Sequence, residues 1–418
     1  MFNKFFARRG NYEGTFFIIG MNKETYEFEV GILENKKIVP LGSFSKGVKA
    51  EERAALIQIL TKHKTTSKGS HVSVQPGICI YLSFKGIKND KLISASFLSF
   101  QLKKDWEECT VGNLLLLNKD MNDEVHITNP NKPLWNEPYL NKDYYISYLF
   151  HMSPNILPFL KDRLLTVIRY PHGVNGESFY QKSCPEYAPS FIKTKKSEDI
   201  HYILCNDTSS LIWLGNQLAI EYHIPFETIK TNYPIEIIFD LDPPSRDYFP
   251  LAVYAAKEMK ILFDKFQIKS FPKLSGGKGL QIHIPVMDSP FTYEETRHFT
   301  EFIAKYLVEK FPEKFTIERM KKKRGKKLYI DYVQHWHGKT IISPYSLRAR
   351  DKPTVAAPLY WSEVDEKLDP NDFTLFTMQD RIKKGCPFLE ENYFDTYNEN
   401  LEDLIHTLKN KTKRLGYK

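Results

Sequence analysis

Apolar residues recur at every second position through much of the first 115 residues, the spacing of half-buried strands. Thr15–Met21, Tyr26–Leu33, Lys37–Phe44, Val72–Val74, Ile78–Phe84 and Leu92–Leu98 read as strands, with Lys49–Lys62 as a helix among them. Short strands so spaced predict a small antiparallel barrel over residues 10–116. KDMNDEVHITNPNK (119–132) is polar and Asn-rich, which puts a linker at 117–128. From 129 to 418 helical patterns alternate with apolar strands. Helices are predicted over Tyr144–Leu160, Pro250–Phe266 and Thr292–Lys310, and strands over Leu164–Arg169, Ile235–Asp240 and Leu280–Val286. Thr292 and Glu295 form a capping-box pattern, and Phe299, Ile303, Tyr306 and Leu307 line one face of the helix that follows. Glu399–Lys418 reads as a last helix with a basic end. The fold class expected is α+β, a barrel followed by a larger α/β domain.

Composition narrows the class without choosing a function. With 42% hydrophobic and 14% aromatic residues in 418, the chain can bury two or three cores, so global disorder is excluded. The five cysteines are scattered, with no C-x-x-C pair, which argues against a disulfide framework and a structural zinc. Neither a bilayer-length apolar run nor a cleavable leader is evident, so a cytoplasmic protein, nucleoid-associated and without a membrane partner, is expected. Lys and Arg exceed Asp and Glu by 59 to 51, a net charge of +8 that permits a polyanionic partner. The placement of that charge is more informative: seven of the nine residues Arg319–Lys327 are basic. Such a run is either a solvated face or a tract that follows a phosphate backbone.

The sharpest local signal is IEIIFDLDPP (235–244). Side chains alternate along a strand, so Asp240 and Asp242 project to the same side. Two such carboxylates repel unless a cation lies between them, and hard oxygen ligands suit Mg²⁺ or Mn²⁺. The bland alternative is a strand end with one capping aspartate and one salt bridge. KLSGGKG (273–279) offers backbone N–H groups, a hydroxyl and a point charge, as a triphosphate requires, although Gly-Gly-Lys before a strand is also an ordinary turn. In KLYIDYVQHWHGKTIISPYSLRAR (327–350), Asp331 is a third candidate carboxylate, and Arg348 with Arg350 a phosphate clamp or two solvated arginines. Together these are the parts of two-metal phosphoryl transfer.

FDLDPP, KLSGGKG and SPYSLRAR, in that order, resemble the polymerase domain of bacterial end-joining DNA ligase D, of the archaeo-eukaryotic primase superfamily. NPNKPLWNEP (129–138), LLTVIRYPHGVNGESFYQK (164–182) and WLGNQLAIEYH (213–223) are similar as well. The resemblance implies a primase-type α/β catalytic domain over 129–418, with Asp240, Asp242 and Asp331 as ligands of two divalent ions, Mn²⁺ or Mg²⁺. It implies that Ser275, Lys278, Gln281, Arg348, Arg350 and His223, at the end of a helix-like 211–223 segment, bind the incoming NTP or dNTP. Lys132 and Lys142 would hold the 5′-phosphate at a gap, Phe179 and Tyr180 would stack on the template base, and Arg324 would place the template. Phe179 and Tyr180 as core residues, and His223 as an ordinary satisfied histidine, are the structural alternatives. The family histidine after the Gly-rich turn is Gln281 here, with His283 two residues on; the basic residue before Arg169 is Ile168, and the asparagine after the third aspartate is His335.

Residues 10–116 resemble the OB-fold domain that closes ATP-dependent DNA ligases, with Ile93 and Gln101 where arginines of the ligase's final motif are expected. No K-x-D-G lysine with its adenylating domain is found, so ligation by this chain alone is not expected. The expected function is template-dependent nucleotide addition to primer 3′-hydroxyls at gapped or broken DNA ends bearing a 5′-phosphate, in non-homologous end joining with Ku and a DNA ligase in trans. The alternative is a non-catalytic DNA-end-binding scaffold that recruits those two partners.

Overall fold

A computed structural model describes residues 11–117, 125–287 and 291–414. Most of the predicted linker (118–124) and the last four positions of the predicted C-terminal helix (415–418) lie outside the described residues. The chain divides into two compact units, Met1–Phe150 and His151–Lys418. Among the described residues no helix is long and apolar enough to cross a membrane.

The first unit is built on β1 (Tyr12–Asn22), β2 (Phe28–Glu34), β3 (Lys37–Phe44), β4 (Lys64–Lys68), β5 (His71–Val74) and β6 (Cys79–Phe84). β7 (Gly86–Lys88) and β8 (Lys91–Ile93) form a separate hairpin, and β9 (Ser96–Phe100) completes a seven-stranded sheet by pairing with β6. Phe28, Val30 and Ile32 alternate into the core, which is the sequence pattern made spatial. β1 is long enough to pair with β6 along Tyr12–Phe17 and with β5 along Gly20–Asn22. The sheet therefore curls, and the Phe97 amide donates to the Lys46 carbonyl at 2.9 Å, tying β9 to the end of β3. The expected single strand Leu92–Leu98 is interrupted because Ser94 takes a left-handed φ of 54°. β10 (Pro133–Trp135) and β11 (Leu140–Asn141) form a hairpin against this sheet: Asn35 Nδ2 donates to the Tyr139 carbonyl at 2.7 Å, and Thr110 Oγ1 to Asp143 at 2.7 Å. By packing, residues 129–150 thus belong to the first unit.

The second unit holds two principal sheets. β12 (Thr166–Arg169), β13 (Phe179–Gln181), β16 (Ala219–Pro225) and β22 (Thr340–Ile342) run in the order β13-β12-β16-β22, with β14 (Thr194–Ser197) and β15 (Ile200–Ile203) a hairpin apart. β17 (Glu236–Asp242), β18 (Phe271–Leu274), β19 (Leu280–Pro285), β20 (Phe315–Thr316) and β21 (Leu328–Asp331) run in the order β18-β19-β17-β21-β20. Ile237, Phe239 and Leu241 are fully buried on one face of β17. Phe239 meets Phe263 and Phe299, each 5.9 Å away between ring centroids, on the helices Phe249–Lys265 and Tyr293–Lys310. The second of these starts at the expected capping box: the Glu295 amide donates to Thr292 Oγ1 at 3.2 Å, and the Thr292 amide to Glu295 Oε2 at 2.9 Å.

Backing the sheet with helices on its odd face leaves the even positions of β17, Glu236, Ile238, Asp240 and Asp242, for the other side. Glu236 is 2% exposed, 2.7 Å from Arg163 Nη1 and 3.0 Å from His283 Nδ1, and it accepts a hydrogen bond from Tyr393. Burial pushes its carboxyl up, yet the Arg163 charge and the His283 bond outweigh that and hold it well below the usual carboxylate range. Stability from this group is present above the ordinary glutamate value and is lost as pH falls toward the depressed one. Glu236→Gln leaves Arg163 buried without its counter-charge and should lower the unfolding free energy at pH 7 by ~3–5 kcal/mol. Urea denaturation checks this, with the gap to wild type narrowing below pH ~4; equal midpoints at pH 7 would refute it.

Candidate functional site

Antiparallel register fixes the site. Asp240 stands opposite Gln281 of β19 and opposite Asp331 of β21, and Gln281 stands opposite Lys273 of β18. Directly opposed residues share a face, so Lys273, Gln281, Asp240 and Asp331 form one row across four strands. Asp242 lies one step along that face, opposite Tyr329. Lys273 Nζ donates to Gln281 Oε1 at 2.5 Å, and Gln281 Nε2 to Asp240 Oδ1 at 3.0 Å. Tyr329 and the Gln334 amide donate to Asp331 Oδ1 at 3.1 and 3.0 Å.

Crowding of acids under partial burial sets the electrostatics. Burial raises Asp240 to about 6, with the Asp331 and Asp242 charges adding to the rise and the Gln281 bond opposing it. Asp331 is raised as well, chiefly by burial. Lys273, fully buried, is lowered to about 7 by desolvation. Asp242 is compensated differently: Lys278 Nζ lies 3.0 Å from its Oδ1 and Arg324 Nη1 3.3 Å from its Oδ2. Arg324 is held in turn by Tyr329, whose ring centroid is 3.7 Å from the guanidinium carbon, and by the Glu318 and Arg319 carbonyls.

The Gly-rich turn joins β18 to β19 and closes on itself, with the Gly277 and Gly279 amides donating to Ser275 Oγ at 3.2 and 3.1 Å. Gly276 has φ 69°, and a Cβ there would meet Arg348 Cγ at 2.7 Å; one at Gly279 would meet the Leu241 carbonyl oxygen at 2.4 Å. Both positions therefore require glycine. β23 (Leu347–Ala349) and β24 (Pro353–Val355) form the hairpin that brings Arg348 against this turn, and Arg350 Nη2 lies 4.0 Å from a Cβ built on Gly277.

Most of the site residues expected from sequence come together in this region: Asp240, Asp242, Asp331, Ser275, Lys278, Gln281, Arg324, Arg348 and Arg350. His223 joins them through Glu221, whose carboxylate accepts from His223 Nε2 at 3.1 Å, Arg348 Nη1 at 2.7 Å and the Ala349 amide at 3.1 Å. His223 is on strand β16 and not at a helix end: the helix Thr208–Asn216 stops because Leu218 adopts φ 63°. Phe179 and Tyr180 are 44% and 73% exposed on β13, which excludes the core alternative. Tyr180, Ile168 and Glu221 are opposed across three strands and share a face, whereas Phe179 points to the other face, 5.2 Å from Arg169. Lys132 and Lys142 lie in the first unit, where the Lys142 amide donates to the Lys132 carbonyl at 2.9 Å. Lys142 is buried, donates to the Thr128 carbonyl at 2.5 Å, and is lowered to about 8 by burial with the Lys132 charge adding. His335 is buried and bonded to Thr296 at 3.0 Å. Lys321–Lys323 form an exposed 3₁₀ turn.

Glu221 and Lys273 were missed by the sequence reading. Glu221 is two residues before His223, a spacing that signals one strand face once 219–225 is taken as a strand.

Among the described residues no three His, Cys, Asp or Glu side chains gather tightly enough to hold a metal ion, since Asp242 is turned to Lys278 and Arg324. The donor set nevertheless fits a hard cation: Asp240 and Asp331 are opposed and oxygen-bearing, and each is raised chiefly by burial, a cost that a bound cation would offset. In metal-free protein, ionised Asp240 opposes folding above pH ~6, and the penalty is relieved as pH falls through that value. Asp240→Asn should therefore stabilise the metal-free protein at pH 7.5 by ~1–2 kcal/mol after allowance for solvent screening. Thermal unfolding in EDTA measures this, and a lower Tm for the variant would contradict it.

Comparison with known proteins identifies the family and the fold of the catalytic region. The family model described as "LigD, primase-polymerase domain" matches residues 141–388. The chain is 45% identical over 396 residues to the bifunctional non-homologous end joining protein LigD of Bacillus subtilis, covering 94% of this chain and 65% of that protein. It is 31% identical to the multifunctional non-homologous end joining protein LigD of Mycolicibacterium smegmatis, over 58% of this chain and 32% of that one. The chain thus spans from about a third to just under two thirds of the length of these relatives. Among solved structures, the polymerase domain of Mycobacterium tuberculosis ligase D in complex with DNA superposes with a TM-score of 0.60 at 27% identity, covering 64% of this chain and 97% of that domain.

Proposed function

The chain belongs to the LigD primase-polymerase domain family, and from that premise we propose that it is a template-dependent nucleotidyltransferase that adds nucleotides to primer 3′-hydroxyls in non-homologous end joining. The observation that carries the proposal is the register pairing of Asp240 with Asp331, with Asp242 on the same face and the Ser275–Gly279 turn and the Arg348 hairpin packed beside them. Asp240, Asp242 and Asp331 would hold divalent ions, Mn²⁺ or Mg²⁺, which when bound acidify the primer hydroxyl and neutralise the leaving pyrophosphate.

The remaining work falls to the chain's own groups. Lys278 is neutralised here by Asp242, so an incoming triphosphate takes over as its counter-anion, while Arg348 stays paired with Glu221 and offers its remaining N–H groups to a phosphate. Glu221 keeps His223 and Arg348 in one geometry while that exchange occurs. Arg324, stacked on Tyr329, fixes the wall beside Asp242 next to the exposed lysines of the 321–327 tract, which suits a nucleic-acid backbone. Tyr180, exposed on the face that carries Glu221, suits stacking on a base; Lys132 suits a 5′-phosphate, whereas Lys142, buried and bonded to the Thr128 carbonyl, does not present its ammonium to one in this structure. The curled N-terminal sheet we assign as an OB-type domain, and Ku and a ligase as partners in trans. Extension of a gapped, 5′-phosphorylated duplex by purified protein with Mn²⁺ should fall ~10³-fold or more in an Asp240→Ala/Asp242→Ala protein that still binds DNA, because the ions contribute several kcal/mol of transition-state stabilisation. Extension at the wild-type rate would refute the assignment.

A further inference from the structure

We propose that Lys273 is a positioning residue for Asp240, acting through Gln281; the proposal rests on the reading of Asp240 as a metal ligand. Lys273, Gln281 and Asp240 occupy directly opposed positions on three adjacent strands, so their side chains follow one another along one face. Lys273 has no solvent exposure and Gln281 has 2%, so water cannot replace either partner. Lysines are almost never so buried without a specific acceptor. Here Nζ donates to Gln281 Oε1 at 2.5 Å and to the Ile342 carbonyl at 3.2 Å.

With Lys273 as an ammonium and Asp240 as a carboxylate, the three groups allow one arrangement. An ammonium only donates and a carboxylate only accepts. An amide between them bridges both only with its oxygen toward Lys273 and its nitrogen toward Asp240, as is found at 2.5 and 3.0 Å. Lys273 therefore selects the orientation of the Gln281 amide, and that amide holds Asp240 Oδ1 in place. Gln281, which the family resemblance casts as a nucleotide contact, has both ends of its amide engaged inside the protein. Hydrogen bonds that orient metal-binding carboxylates typically change metal affinity 10–100-fold when removed.

The test is Mn²⁺ binding to the full chain without nucleotide, followed by electron paramagnetic resonance of the free ion. Lys273→Met should raise the Mn²⁺ Kd ~10-fold. Gln281→Leu should do the same, and Lys273→Met/Gln281→Leu no more than Gln281→Leu alone, because the hydrogen-bonded hold of the lysine on Asp240 runs through the glutamine. A merely structural role would give independent, multiplicative losses. If Lys273→Met fails to fold, Gln281→Met is the second probe: it removes the donor to Asp240 at similar volume without adding a charge, and should weaken Mn²⁺ binding ~10-fold. Wild-type affinity in Lys273→Met or in Gln281→Met, or additive losses in the double variant, overturns the positioning role while leaving the carboxylate site standing. A wild-type chain that does not bind Mn²⁺ overturns the metal reading and this proposal with it.

Discussion

Everything at the site depends on the register of the four antiparallel strands β18, β19, β17 and β21 of the five-stranded sheet. Because opposed residues share a face, three pairings, Asp240 with Asp331, Asp240 with Gln281 and Gln281 with Lys273, decide which side chains stand together on β17, β19, β18 and β21. A slip of one residue would send both aspartates into the helices packed around Phe239 and turn Phe239 toward the site. Burial of Ile237, Phe239 and Leu241 therefore specifies the register, and the register places the chemistry. Hydrophobic packing on one side and an acidic row on the other are two consequences of the same alternation.

Charge at the site is locally neutralised by ions of the protein itself. Asp242 has Lys278 and Arg324, and Glu221 has Arg348 and His223. Asp240 and Asp331 are raised chiefly by burial, and the Asp331 and Asp242 charges add to the rise of Asp240. An acidic row with one member capped by exchangeable cations is suited to receive divalent ions and a polyphosphate together, since each arriving charge releases a partner for the other.

Much of this was legible in the sequence. FDLDPP, the Gly-rich turn and SPYSLRAR each carry local spacing that survives folding, and the capping box at Thr292 and Glu295 is formed as read. Local pattern failed where a single residue overrides it. Leu218 at φ 63° converts an apolar helix-like run into helix then strand, and Ser94 at φ 54° splits one strand into two. Lys273 was invisible for a different reason: in sequence it is one more lysine before a turn, and only strand pairing buries it behind Gln281. Glu221 was hidden by the same misreading that put His223 on a helix.

The central claim is that Asp240, Asp242 and Asp331 form one metal-dependent nucleotide site. Anomalous diffraction from crystals grown with Mn²⁺ and a non-hydrolysable nucleoside triphosphate tests it directly. Manganese peaks in contact with oxygens of Asp240 and Asp331 are expected, with Lys278 moved from Asp242 onto a phosphate. A nucleotide bound with manganese away from those carboxylates, and Lys278 still paired with Asp242, would contradict it.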